Sequence, residues 1–213
     1  MKKIKQIVTI FAALALAVTA GLSFAGTKTK AAGSDEFTRT AIEIAADMGY
    51  GWNLGNTMEA TNTWTSNPKV TDFETAWGQP VTTKAMIDGI KKAGFNSIRI
   101  PVSWSNMMSS DGNYIIDASY FKRVDEIISY AFANDMYVII NDHYDGGWWE
   151  HFCGNKRDCM KHYKNMWTQV AEHYKDYSEK LIFESANEEL GDSLKKSLSK
   201  IDVNISDTAL YNL

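Results

Sequence analysis

Met136-Tyr137-Val138-Ile139-Ile140-Asn141-Asp142-His143 is an apolar run of strand length whose last three residues are polar. Similar runs flank it, Phe95-Asn96-Ser97-Ile98-Arg99-Ile100-Pro101-Val102 before and Leu181-Ile182-Phe183-Glu184-Ser185-Ala186-Asn187-Glu188 after. Ile98, Ile139 and Ile182 hold corresponding places, 41 and 43 residues apart. Each interval has room for one helix, and a repeated strand-helix-strand unit builds a parallel sheet with right-handed crossovers.

The intervals contain such helices. Thr82 or Thr83 is placed to cap a helix with Met86, Ile87, Ile90 and Ala93 on one face, and Gly94 to end it. Ala118 to Asn134 carries Phe121, Val124, Ile127, Ile128, Ala131 and Phe132 at helical spacing. Asp158 to Tyr177 presents Met160, Tyr163, Trp167, Val170, Ala171 and Tyr174 as its inward face. Upstream, Glu36 to Asp47 repeats the pattern with Phe37, Ala41, Ile44 and Ala45, continued by Met48, and leads into a first strand at Tyr50-Gly51-Trp52-Asn53-Leu54-Gly55. Two closures suit this α/β order, an open doubly wound sheet or a (β/α)8 TIM barrel. Gly51 to Gly55 lacks the glycine spacing of a dinucleotide turn, so the barrel is the expectation.

Alternation along the strands sorts the polar residues. Ser97, Arg99 and Pro101 share one face of their strand, opposite Ile98 and Ile100; Asn141 and His143 share a face with Ile139; Glu184, Ala186 and Glu188 fall together. Pointed into a barrel, these faces bring Arg99, His143 and Glu188 to one mouth, with Glu184 deeper and Asn187 turned away. Barrel enzymes keep acid/base groups at such strand ends. Each residue also has a plainer reading: Arg99 could neutralise Glu184 inside the barrel, His143 could be a satisfied interior histidine, and Glu188 could begin the next helix. Glu189 reads as part of a solvated face.

Seven Trp and ten Tyr occur in 213 residues, and several sit where loops are expected: Trp52, Trp64, Trp77, Trp104, Tyr144, Trp148 and Trp149. Aromatics on loops beside polar groups suit a ligand with flat apolar faces, such as a sugar ring. The formal charge of −4 offers no basic patch for nucleic acid. Lys2, Lys3 and Lys5, the apolar Ile7 to Ala20 and the small-residue Ser23-Phe24-Ala25 read as a signal peptide over residues 1–25, so the protein is expected to be secreted. A polar spacer follows at 26–33 and the folded chain at 34–213, with no membrane segment after cleavage. In an exported chain Cys153 and Cys159 suit a local disulfide or free thiols; His151 and His162 lie nearby, but their spacing fits no zinc signature, and no cofactor is implied.

Four motifs in order, Gly51-Trp52-Asn53-Leu54-Gly55-Asn56, Ser97 to Trp104, Asn141 to Trp148 and Phe183 to Glu188, resemble the first four strand motifs of glycoside hydrolase family 5. The resemblance implies a retaining β-glycosidase acting on a polysaccharide such as cellulose or another β-1,4-glucan. It implies Glu188 as general acid/base, with its pKa raised by burial and by a second carboxylate, and Asn187 as the partner of the sugar 2-hydroxyl. It implies Arg99 as the arginine that pairs with the nucleophile and His143 as a shaper of the same subsite. Trp52, Asn53, Trp104, Tyr144, Trp148 and Trp149 are the expected substrate-binding residues. The chain departs from the pattern at Tyr144, where many relatives have histidine, and at Glu189, where many have proline. Eight units of this spacing need ~340 residues, so the sequence is expected to hold four of the eight and to lack the nucleophile, which belongs to a later strand. Further modules belong to the same expectation. A non-catalytic glycan-binding barrel, or an inactive remnant, is the alternative.

Overall fold

A computed structural model of the protein describes residues 39–152 and 154–188. The signal-peptide and spacer segments, Cys153 and Glu189 lie outside the described residues. The order of elements is α1 (Ala41–Met48), β1 (Gly51–Asn53), α2 (Val70–Glu74), α3 (Lys84–Lys92), β2 (Ser97–Ile100), a 3₁₀ turn (Trp104–Met107), α4 (Ala118–Phe132), β3 (Tyr137–Asn141), a second 3₁₀ segment (Asp145–His151), α5 (Lys156–Tyr174) and β4 (Leu181–Glu184).

The strands form one all-parallel sheet in the order β1-β2-β3-β4, the arrangement the 41- and 43-residue intervals predict. Local signals set the helix ends. The Thr83 side chain accepts from the Met86 amide at the start of α3, and Gly94, with φ of +101°, lies just beyond its C-cap. Asp117 accepts from the Ser119 amide at the start of α4.

Register fixes the two faces of the sheet. Trp52 aligns with Ile98, Ile98 with Val138, and Val138 with Leu181. Ile98, Ile100, Val138 and Ile140 are fully buried and pack with Ile87, Val124, Ile127, Ile128 and Val170 of the helices. Each such aliphatic side chain contributes about 1.5–3 kcal/mol when removed from water. With the apolar residues committed to the helix layer, alternation sends Asn53, Arg99, Asn141 and Glu184 to the opposite, concave face.

Two helices differ from their predicted faces. In α5 the buried residues are Cys159, His162, Met166, Val170 and Tyr174, while Ala171 is exposed and Met160, Tyr163 and Trp167 are half-buried. The stripe is rotated because His162 stacks on Trp148 and on Tyr114, centroids 4.2 and 4.3 Å away, which draws its turn under the Asp145–His151 segment. In α1 no residue is buried, although a capping box between Thr40 and Glu43 starts it as a helix should start. Ile44 and Met48 are half-buried, Ala41 and Ala45 are exposed, and Ile42 is 83% exposed. Its tie to the sheet is polar: Arg39 just before it donates to the Tyr137 hydroxyl at 2.7 Å.

Candidate active site

Parallel strands end on the same side, so the last residues of all four strands meet at one mouth. Arg99 is the hub there. Its Nε and Nη2 donate to the two Glu184 oxygens, each at 2.7 Å, its Nη1 donates to Asn53 Oδ1 at 3.0 Å, and Nη2 also donates to Asn187 Oδ1 at 2.9 Å. The forked pair with Glu184 is the geometry that makes guanidinium-carboxylate contacts strong and directional. Hydrogen bonds from Arg99, and next from Asn141, hold the Glu184 carboxyl below its usual range against the opposing effect of burial.

His143 stands beside this fan. Its Nδ1 lies 3.3 Å from Asn141 Nδ2 and 3.5 Å from Arg99 Nη2. Both neighbours are donors, so Nδ1 is the acceptor and the neutral ring carries its proton on Nε2. Burial, then the Arg99 charge, push the His143 pKa below 6.5, while Glu59, Glu184 and Glu188 pull the other way. His143 is therefore neutral at pH 7, with its N–H available to a ligand.

Asn187 faces inward with Arg99, contrary to the expected alternation. The ladder pairs Asn141 with Glu184, and a regular continuation would put the Ala186 amide on the Asp142 carbonyl; the Asn187 amide is there instead, at 2.9 Å. One extra residue has entered the strand end, a bulge that reverses the parity. Glu188 follows at the mouth and is exposed, so the burial expected around it does not come from residues 39–188.

Glu59 went unnoticed in the sequence. It is 3% exposed, and its carboxylate accepts from the amides of Asn56 and Thr57, closing the loop after β1 beneath Asn53. A buried carboxylate that takes backbone amides of its own turn leaves no periodic signal. Gly55 in that loop had a visible one: a Cβ there would stand 2.8 Å from Asn53 Nδ2, so glycine lets Asn53 reach Arg99.

The predicted aromatic platforms divide. Trp104 is fully buried, donates to the Asn141 carbonyl at 2.9 Å and packs on Phe121, so it is core and not a substrate contact. Trp52 shares the helix-facing side with Ile98 and meets Phe95 edge-on, because its place in β1 is one residue out of phase with Asn53. Trp148 and Trp149 stack on each other at 3.9 Å, and their N–H groups are taken by Asp145 and Asp142. Their ring faces serve the fold. Tyr144, directly after His143, remains 44% exposed with its ring 6.5 Å from that of Trp77, itself 42% exposed. Cys159 is a buried free thiol that donates to the Trp148 carbonyl at 3.6 Å; burial, then Asp158, raise its pKa.

A profile of cellulase (glycosyl hydrolase family 5) matches residues 58–209, most of the chain. The chain belongs to glycosyl hydrolase family 5. It is 43% identical over 183 residues to endoglucanase A of Paenibacillus barcinonensis, covering 83% of this chain and 44% of that protein. It is 48% identical over 151 residues to endoglucanase A of Clostridium longisporum, covering 70% of this chain and 29% of that protein. The fold is similar to that of a broad-specificity endoglucanase from Ruminococcus champanellensis with bound cellotriose, with a TM-score of 0.66 and 43% identity, over 70% of this chain and 43% of that one. The chain thus spans less than half the length of these family 5 relatives. Its four strands and their helices are part of a (β/α)8 barrel, as the strand period predicts.

Proposed function

We propose that the mouth around Arg99 is the N-terminal share of the active site of a secreted, retaining endo-β-1,4-glucanase, with Glu188 as general acid/base. The observation that carries this reading is the Arg99 fan, which reaches from β2 to Asn53 at the end of β1 and to Glu184 and Asn187 at the end of β4, beside His143 and Glu188. Glu188 stands exposed at a strand end, where a glycosidic oxygen has access to it. Its proton goes to the leaving oxygen, and its carboxylate then takes a proton from the water that attacks the glycosyl-enzyme. Asn187, with Oδ1 engaged by Arg99, keeps its amide N–H groups for a sugar hydroxyl. His143, proton on Nε2, is a second donor on the same wall.

A retaining mechanism needs a second carboxylate about 5 Å from the first, and that nucleophile is assigned here to a strand end outside residues 39–188. The names of the endoglucanase relatives support a β-glucan as substrate. The basic, apolar and small-residue order of residues 1–25 supports secretion.

Reducing-sugar release from carboxymethyl-cellulose tests the assignment. The 213-residue chain is expected to show no turnover, and turnover by it would overturn the external nucleophile. A longer product of the same gene is expected to cut the polymer, with Glu188→Gln lowering kcat about 10²–10⁴-fold. Binding of cello-oligosaccharides without turnover by that longer product would favour the non-catalytic glycan-binding barrel.

A further inference from the structure

We propose that Glu59 is a positioning residue of the mouth: through the turn that it closes it sets the side chain of Asn53, and through Asn53 the Arg99 fan. The inference deepens the site described above and rests on the glycan reading for its ligand.

The first support is burial without a cation. Glutamate is seldom fully buried unless it is paired. Glu59 is 3% exposed, and no ion pair among the described residues includes it. Glu74, which is also buried, has Arg123. Glu59 has two backbone donors instead, the Asn56 amide on Oε1 and the Thr57 amide on Oε2 at 2.9 Å. A neutral oxygen or a water would satisfy the same amides, so a buried charge here costs stability that the turn alone does not require.

The second support is the path from Glu59 to Arg99. The backbone on which Glu59 stands is fixed on both sides. The Met58 carbonyl accepts from the Ser103 amide at 3.1 Å and from the Tyr120 hydroxyl at 2.6 Å, and the Ala60 carbonyl accepts from Asn106 at 2.8 Å. From that base the carboxylate reaches back and closes the turn after β1. Within the turn Thr57 Oγ donates to the Leu54 carbonyl at 2.7 Å, and the Leu54 amide donates to the Arg99 carbonyl at 2.8 Å. A Cβ at Gly55 would stand 2.8 Å from Asn53 Nδ2 and 3.5 Å from Glu59 Oε1, so the amide and the carboxylate close over the same glycine. Asn53 Oδ1 then accepts from Arg99 Nη1 at 3.0 Å, across the register that pairs the two residues. The charge of Glu59 reaches the site as well. At His143, where burial and then Arg99 lower the pKa, Glu59 is the strongest of three carboxylates that oppose them.

The test is a double-mutant cycle on Asn53, read first by calorimetric titration of the 213-residue chain with cellohexaose. Glu59→Gln, which turns one acceptor into a donor facing a backbone amide, should weaken binding about 3- to 10-fold. Gly55→Ala presses on Asn53 Nδ2 and leaves the buried charge in place; it should weaken binding to a similar degree, and it carries the test should Glu59→Gln fail to fold. In an Asn53→Ala background neither substitution should weaken binding further, a result that loss of fold stability alone would not give. The NMR signal of the Arg99 Nε–H is the second readout and needs no ligand. It should move in Glu59→Gln and not respond to that substitution once Asn53 is alanine. Affinity that falls equally with and without Asn53, affinity unchanged in both variants, or an Arg99 signal indifferent to Glu59→Gln overturns the positioning role and leaves the glycan reading standing. Absence of any cellohexaose binding by the wild type overturns the glycan reading, and the Arg99 signal then decides the role of Glu59 alone.

Discussion

Two arginines of this chain make the same forked contact with a glutamate, and they do so in opposite settings. Arg123 holds Glu74 through Nε and Nη2 at 2.9 and 2.8 Å within the helix layer, where the Glu74 side chain is wholly out of solvent. Arg99 holds Glu184 at 2.7 Å through the same two nitrogens, with 23% and 32% of the two side chains exposed. The remaining donors of Arg123 close on Glu126 and on the Thr82 carbonyl. Those of Arg99 go to Asn53, at the end of β1, and to Asn187, just past the end of β4, neither of them buried. One pair ends in backbone and helix, and the other in groups that can still turn to a ligand. The ion pair is the same; what it positions differs.

Breaking the closed pair is expected to cost most. Glu74→Ala leaves the Arg123 charge in the helix layer and takes the acceptor from the Thr82 amide, so a loss of about 3–5 kcal/mol is expected in urea unfolding. Replacing both partners together, Arg123→Met with Glu74→Leu, should recover much of that loss, because no charge is then stranded. Arg99→Met should cost less, about 1–2 kcal/mol, since solvent reaches and screens the Glu184 carboxylate. Its effect on cellohexaose affinity should be the larger one, because Asn53 and Asn187 lose the donor that orients them. A stability loss for Arg99→Met equal to that for Glu74→Ala would erase the distinction between the two pairs.

The closed pair escaped the sequence and the open one did not, for a physical reason. Arg99 and Glu184 lie on strands whose alternation and common spacing say which residues share a face, and Ile98, Ile100, Val138 and Ile140 fall where the pattern places them. Arg123 and Glu74 belong to two helices whose contact depends on packing, and Glu59 on a loop that folds onto its own amides, so no period exposes either. The same limit explains the tryptophans. Composition identified rings on loops, but whether a ring is covered depends on its neighbours, which separated Tyr144 from Trp104 and from the Trp148-Trp149 stack. At Asn187 the pattern failed by one residue, because a single bulge reverses every alternation beyond it.

The open site should also respond to mild acid. His143 is held below 6.5, first by burial and then by the Arg99 charge, so the unfolded chain takes up its proton more readily than the folded one. Its contribution is complete above pH 6.5 and is lost as pH falls through the depressed value. Urea midpoints from pH 7.5 down to pH 5 should decline, and His143→Gln should flatten that decline. An equal decline in the variant would move the origin away from this site. Glu184, also held low, adds its own loss below the ordinary carboxylate range of about 4.5.

The smallest effect on stability is expected at the residue most important to the proposed chemistry. Glu188 is exposed, and the Arg99 fan runs through Asn187 and Glu184 without it. Glu188→Gln keeps the size and reach of the side chain and replaces its carboxyl group with a neutral amide at an exposed position, so unfolding should shift by no more than about 0.5 kcal/mol. Cellohexaose affinity should stay close to wild type, because a proton donor to the leaving oxygen acts in the transition state more than in ground-state binding. A loss of stability approaching that of Arg99→Met would mean that Glu188 is structurally committed to the network, and a residue so committed could not exchange its proton with substrate and water in turn.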